Sequence, residues 1–156
     1  LLSDEYLRAK TERFDFADPP IDPVELATIL TETMLRENGA GLAANQVGFP
    51  YSVFVIKSDP IIAAFNPRVV DYLGEEVYLD EGCLSWPNLI VKIKRPEGVR
   101  LRFTMPNGET ITREFHGLTA RVVLHELDHL AGEVFYEKAT RYHRELAFKR
   151  MKKRKR

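Results

Sequence analysis

The sequence predicts an α+β fold, mainly antiparallel sheet packed around a helix that carries a metal-type motif. Three observations predict it. Segments of strand length, apolar or alternating, outnumber helical segments through the middle of the chain. Turn signals separate those segments, which favours hairpins over parallel crossover units. One helical segment late in the chain holds two histidines four residues apart, His125 and His129.

The elements follow in order. Residues 1–21 read as irregular and close on Asp18-Pro19-Pro20, which blocks helix. The spacing predicts a helix over residues 23–38. Asp22 is its N-cap, Pro23 takes the favoured first position and Glu25 completes a capping-box pattern. Leu26, Ile29, Leu30, Thr33 and Met34 form its buried face, and Gly39 is the expected stop. Strands are expected at 52–56, at 62–70 in two pieces broken by Asn66-Pro67, at 76–79 and at 89–94. Val99, Leu101 and Phe103 alternate with Arg100 and Arg102, a half-buried strand. Asn107-Gly108 then turns it into a partner strand through Ile111, Arg113 and Phe115. A second helix is expected over 118–130, ending at Gly132, and a third over 141–151.

A chain of 156 residues fits one domain, read as spanning 1–156 with a basic tail at 149–156. No apolar run is long enough for a membrane-spanning helix. A single cysteine excludes an intramolecular disulfide and leaves no disulfide partner. The formal charge is zero, but it sums unlike parts. Seven of the last eight residues are basic; without them 16 basic residues face 23 acidic ones, a body of −7 joined to a tail of +7. The first residue is Leu1, and Asp4 and Glu5 follow without a long apolar stretch, so the visible start is not a signal peptide.

The strongest chemical signal is His125-Glu126-Leu127-Asp128-His129. Residues four apart share a helix face, so both imidazoles can reach one ion, with Glu126 beside them to take a proton from an activated water. Leu118 and Val122 continue the same stripe. A catalytic metal needs a third protein ligand. Six residues past His129 stands Phe135, so the class of zinc peptidase with a third histidine there is excluded. Glu137 lies too close to the helix, and Glu145 sits before the basic tail. The sole cysteine, Cys83, is the better candidate, because a thiolate suits a borderline-soft divalent ion.

Three motifs in order make the sequence resemble the peptide deformylase family: Gly39-Ala40-Gly41-Leu42-Ala43-Ala44-Asn45-Gln46, Glu81-Gly82-Cys83-Leu84-Ser85, and His125-Glu126-Leu127-Asp128-His129-Leu130. The resemblance implies a peptide deformylase-like fold and removal of the N-formyl group from formyl-methionine on new polypeptides, releasing formate. It implies Cys83, His125 and His129 as ligands to one divalent ion, ferrous iron in the cell, with zinc, nickel or cobalt able to take its place. Glu126 would be the general acid and base; the Gln46 amide and the Leu84 backbone N–H would donate to the oxyanion. Gly39 and Gly41 let their loop approach a ligand, and Leu84, Leu118 and Val122 are candidates for an apolar methionine pocket. Arg121 is placed at the pocket mouth, where it would favour acidic or hydrogen-bonding substrate positions. Glu81 is the candidate acceptor behind a ligating imidazole, and Arg95 is expected to pair with Asp128. Leu124 and Ile90 depart from the family pattern, which often has Gln and Arg at those places.

Expected partners are N-formylmethionyl nascent peptides and, through the cationic tail, the ribosome; no membrane is expected. The expected location is the cytoplasm of a bacterium or phage-infected host, or an organelle after removal of a targeting segment. Two other readings are a general metallopeptidase on the same helix and a non-catalytic ribosome- or RNA-binding module.

Overall fold

The structure, a computed structural model, describes residues 4–155. Residues 1–3, and Arg156 at the end of the basic run, lie outside the described residues.

Five strands form one antiparallel sheet in chain order: β1 (Gly41–Ala43), β2 (Val53–Ile56), β3 (Ile62–Cys83), β4 (Trp86–Thr104) and β5 (Thr110–His116). The helices are α1 (Asp4–Leu7), α2 (Pro23–Arg36), α3 (Gly117–Leu130) and α4 (Arg141–Arg154), with short 3₁₀ turns at Ala44–Val47 and Phe135–Lys138. The α+β class expected from the sequence is the class observed.

Strand β2 explains the layering. All four of its residues are buried, which is why it reads as an unbroken apolar run rather than an alternating one. Val53 and Val55 pack with Leu26, Leu30 and Met34 of α2. Phe54 and Ile56 face the other way, onto Ala120, Val123 and Leu124 of α3. The sheet is thus sandwiched between α2 and α3. A third cluster joins Leu89, Val91 and Ile93 of β4 to Phe135 and to Ala147 of α4.

Several expectations are corrected. The N-terminal segment contains one helical turn, α1, pinned by the fully buried Leu7. Asp22 caps α2 as expected, its carboxylate accepting the Glu25 backbone N–H at 3.0 Å. The stop is made one residue before Gly39. Asn38 takes the left-handed conformation (φ 57°), and the Gly39 N–H closes onto the Met34 carbonyl at 2.9 Å.

Asn66-Pro67 does not break the third strand into two. Asn66 adopts φ 49°, and the register shifts between Phe65 and Arg68, so Pro67 sits in a bulge where no ladder N–H is needed. The Asn66 amide also holds both backbone polar groups of Phe14, at 2.7 and 2.9 Å. The candidates at 62–70 and 76–79 therefore belong to one long, bent strand, as do those at 89–94 and around Val99. The third helix extends three residues beyond the expected end, carrying the basic run as helix to Arg154.

Candidate metal centre

Three elements converge on one point. The β3–β4 hairpin brings Cys83, the last residue of β3, across from Trp86 with only Leu84 and Ser85 between. Helix α3 brings His125 and His129 on the face toward the hairpin. The 3₁₀ turn after edge strand β1 brings Gln46. One potential ligand atom from each of Cys83, His125 and His129 lies within 4.8 Å of the other two, and Cys83 Sγ is 3.2 Å from His129 Nε2.

Close approach of α3 to β1 depends on Gly41. A Cβ there would stand 2.8 Å from both Glu126 Oε1 and Val122 Cγ1. Any side chain at 41 would displace the helix or the carboxylate.

The Gln46 amide has one orientation available to it. Its Oε1 accepts the Ala43 backbone N–H at 2.9 Å, so its Nε2 turns toward Ser85 Oγ at 3.1 Å and Cys83 Sγ at 3.6 Å. The neighbouring Asn45 donates to the His129 carbonyl at 2.7 Å and pins the C-terminal turn of α3.

Behind the candidate ligands lies a buried ionic group. Glu81 Oε1 is 3.0 Å from His125 Nδ1, which leaves the Nε2 of that ring for the centre. The same carboxylate accepts Arg95 Nε and Nη2 at 2.6 and 2.9 Å and Arg121 Nη1 at 2.9 Å. Arg95 Nη1 reaches Asp128 Oδ2 at 2.8 Å, so the two residues expected to pair are in contact. Burial alone would raise Glu81, but the His125 and Arg95 hydrogen bonds outweigh it and hold the carboxyl at about 2.

Burial pushes Glu126 up to about 7, and its Oε2 has no hydrogen-bond partner among the described residues. A buried carboxylate with an unused oxygen, beside the ligand cluster, is placed for proton exchange. Burial, followed by the charge of His125, lowers His129 to about 3, so this ring is a neutral donor. His125 moves the other way. Burial would lower it, but Cys83 and Glu81 outweigh burial and raise it to about 10.

The donor set fits a divalent metal. One sulfur and two imidazole nitrogens are a borderline-soft set, and three protein ligands leave a position open. A cavity of about 680 Å³ opens onto Cys83 and His125, bordered by Gly39, Gly41, Leu84, Pro87, Val122 and Glu126. Among the described residues strand β1 pairs only with β2, which leaves its outer edge without a strand partner beside this cavity.

Two candidate pocket residues border the cavity but are not disposed as expected. Leu118 borders the cavity but is 73 % exposed, a rim residue rather than a wall. Arg121 does not offer its charge at the mouth: its guanidinium is buried against Glu81 and also donates to the carbonyls of Ile93 at 2.8 Å and Val77 at 2.6 Å. It stands one helical turn before His125 and so shares that residue's inward face. The sequence assigned no role to Trp86, Ser85 or Asn45. Ser85 and Asn45 lie inside the motifs and Trp86 directly follows one, which is their only signal.

Comparison with known proteins agrees. A family model described as polypeptide deformylase matches residues 1–145. Peptide deformylase 2 of Clostridium acetobutylicum is 39 % identical over 143 residues, covering 91 % of this chain and 94 % of the relative. The peptide deformylase of Aquifex aeolicus is 34 % identical over 156 residues, covering 96 % and 90 %. A peptide deformylase from Synechococcus elongatus, solved in complex with actinonin, superposes with a TM-score of 0.87 at 30 % identity, covering 95 % of this chain and 83 % of that one.

Proposed function

The chain belongs to the polypeptide deformylase family, and from that premise we propose how its residues perform the reaction. It is a hydrolase that removes the N-formyl group from the start of new polypeptides and releases formate. The observation that carries the residue assignment is the convergence of Cys83, His125 and His129 within 4.8 Å, beside a cavity that Cys83, His125, Glu126 and Gln46 line.

Cys83, His125 and His129 hold one divalent ion, ferrous iron in the cell; zinc, nickel and cobalt satisfy the same donors. The ion, when bound, supplies Lewis acidity, which lowers the pKa of water from about 15.7 towards about 7. Glu126 receives the proton from the attacking water and passes it to the departing amine; its raised pKa suits both directions of transfer. The Gln46 amide, fixed by Ala43, and the Leu84 backbone N–H donate to the oxyanion that develops on the formyl oxygen. The free edge of β1 pairs with the substrate main chain, and Gly39 and Gly41 keep that edge accessible. Leu84 and Val122 line the methionine pocket, with Leu118 at its rim.

The whole chain acts as one catalytic domain in the cytoplasm, where formylated chains emerge. Among the described residues no helix is long and apolar enough to cross a membrane. The exposed Lys149, Arg150, Lys152, Lys153, Arg154 and Lys155 give the end of α4 a cationic surface suited to ribosomal phosphates. Deleting 149–156 is expected to abolish salt-sensitive ribosome binding; binding that survives the deletion contradicts this contact.

The assignment is tested by formate release from formyl-Met-Ala-Ser under anaerobic conditions with ferrous iron. The wild-type chain releases formate and Cys83→Ala does not. Full activity in Cys83→Ala would remove Cys83 from the centre.

A further inference from the structure

Building on the metal site proposed above, we infer that Trp86 is a positioning residue for His129. It does by ring stacking what Glu81 does for His125 by hydrogen bonding.

The two histidines are held differently. His125 has its second ring nitrogen 3.0 Å from the Glu81 carboxylate, which sets the tautomer and the ring plane. Among the described residues His129 has no such partner. Its Nε2 faces Cys83, and its buried Nδ1 meets no hydrogen-bonding group there. Asn45 grips the backbone carbonyl of His129, not its ring. The torsion that turns an imidazole is soft, so a ring without a hydrogen bond needs another restraint.

Trp86 supplies one. Its ring lies nearly parallel to that of His129, at 11°, with centroids 6.3 Å apart, an offset stack. The edge of His125 closes on His129 at 5.0 Å and 68°. Rotating the His129 ring out of the ligand plane would lose the stack and drive the ring into these neighbours.

Trp86 is itself fixed. Phe135 and Tyr136 pack on it at 5.7 and 5.6 Å, the second edge-on at 88°. Tyr136 leans in turn on Phe148 of α4 at 5.2 Å. Trp86 is also the cross-strand partner of Cys83. One side chain thus stands behind two of the three ligands, and its support runs back to the C-terminal helix.

The test uses the full chain loaded with Co²⁺, whose absorption bands report the ligand field and whose release to a chelator reports how firmly the ligands hold. Trp86→Leu is expected to release cobalt at least about ten-fold faster and to shift the bands, the lower end of the usual cost of losing a ligand's supporting partner. Trp86→Phe keeps a ring to stack and is expected to restore both. Phe103→Leu, in a different core cluster, is expected to lower Tm and leave both readouts unchanged. Wild-type release and bands in Trp86→Leu overturn the inference, as does equal acceleration in Phe103→Leu. Should Trp86→Leu not fold, Tyr136→Leu decides: faster release supports the inference and wild-type release overturns it. A wild-type chain that takes up no cobalt overturns the metal site itself, and this inference with it.

Discussion

His125 Nδ1 and Glu81 Oε1 lie 3.0 Å apart, and the same carboxylate receives Arg95 and Arg121. One buried side chain therefore ties a candidate metal ligand to the strand pair β3–β4 and to the first half of α3. Arg95, Arg121 and His125 each sit against a carboxylate of this group, Glu81 or Asp128, and that pairing is what makes the burial tolerable.

Glu81→Gln removes the centre of that group. Breaking one partner of a buried ionic cluster costs about 3–5 kcal/mol, and that loss is expected in urea unfolding at pH 7. The pH dependence has a definite sign. Glu81 is held at about 2, below its ordinary 4.5, so its contribution is complete above pH 4.5 and is lost as pH falls through 2. The gap between wild type and variant should shrink across that window; a constant gap contradicts the assignment.

Arg121→Met should destabilise the fold and leave substrate choice alone, because the guanidinium points inward to Glu81, Ile93 and Val77. Turnover of formyl-methionyl peptides with Asp or Lys at the second and third positions measures this. An unchanged ratio is expected, and a changed ratio would return Arg121 to the pocket mouth.

Gly41→Ala should fold and lose activity. Its new methyl meets Glu126 Oε1 and Val122 Cγ1 at 2.8 Å, and the carboxylate must move. Misplacing a reacting group by such amounts costs on the order of 10²-fold in kcat/KM. Wild-type kcat/KM in this variant would contradict the proposed place of Glu126.

Metal uptake should release protons. Cys83 and Glu81 raise His125 to about 10, so at pH 7 its ring carries a proton that a metal must displace. After removal of the metal with a chelator, adding zinc in weak buffer at pH 7 should release about one proton or more per ion bound. Uptake with no proton release would contradict His125 as a ligand.

Much of the site was readable because its residues fall in short local motifs. His125, Glu126 and His129 lie one helical turn apart, and Cys83 is the only cysteine. The three longer helices were readable from caps and periodicity, and the single turn α1 was not. Apart from the three-residue β1, the strands were readable as segments but not as units; Pro67, for one, looks like a break until Asn66 is seen bulged and bonded to Phe14, fifty-two residues away. The stacking of Trp86 on His129 and the inward turn of Arg121 depend on contacts across 43 and 40 residues of sequence, which no local pattern encodes.

The most direct test of the account is formate release by Glu126→Ala, measured beside wild type on formyl-Met-Ala-Ser with ferrous iron and with metal content determined for both. The account predicts that the variant folds and binds metal but loses about 10²–10⁴-fold in rate, the usual worth of a positioned general acid–base. A metal-loaded Glu126→Ala that releases formate at the wild-type rate would contradict it.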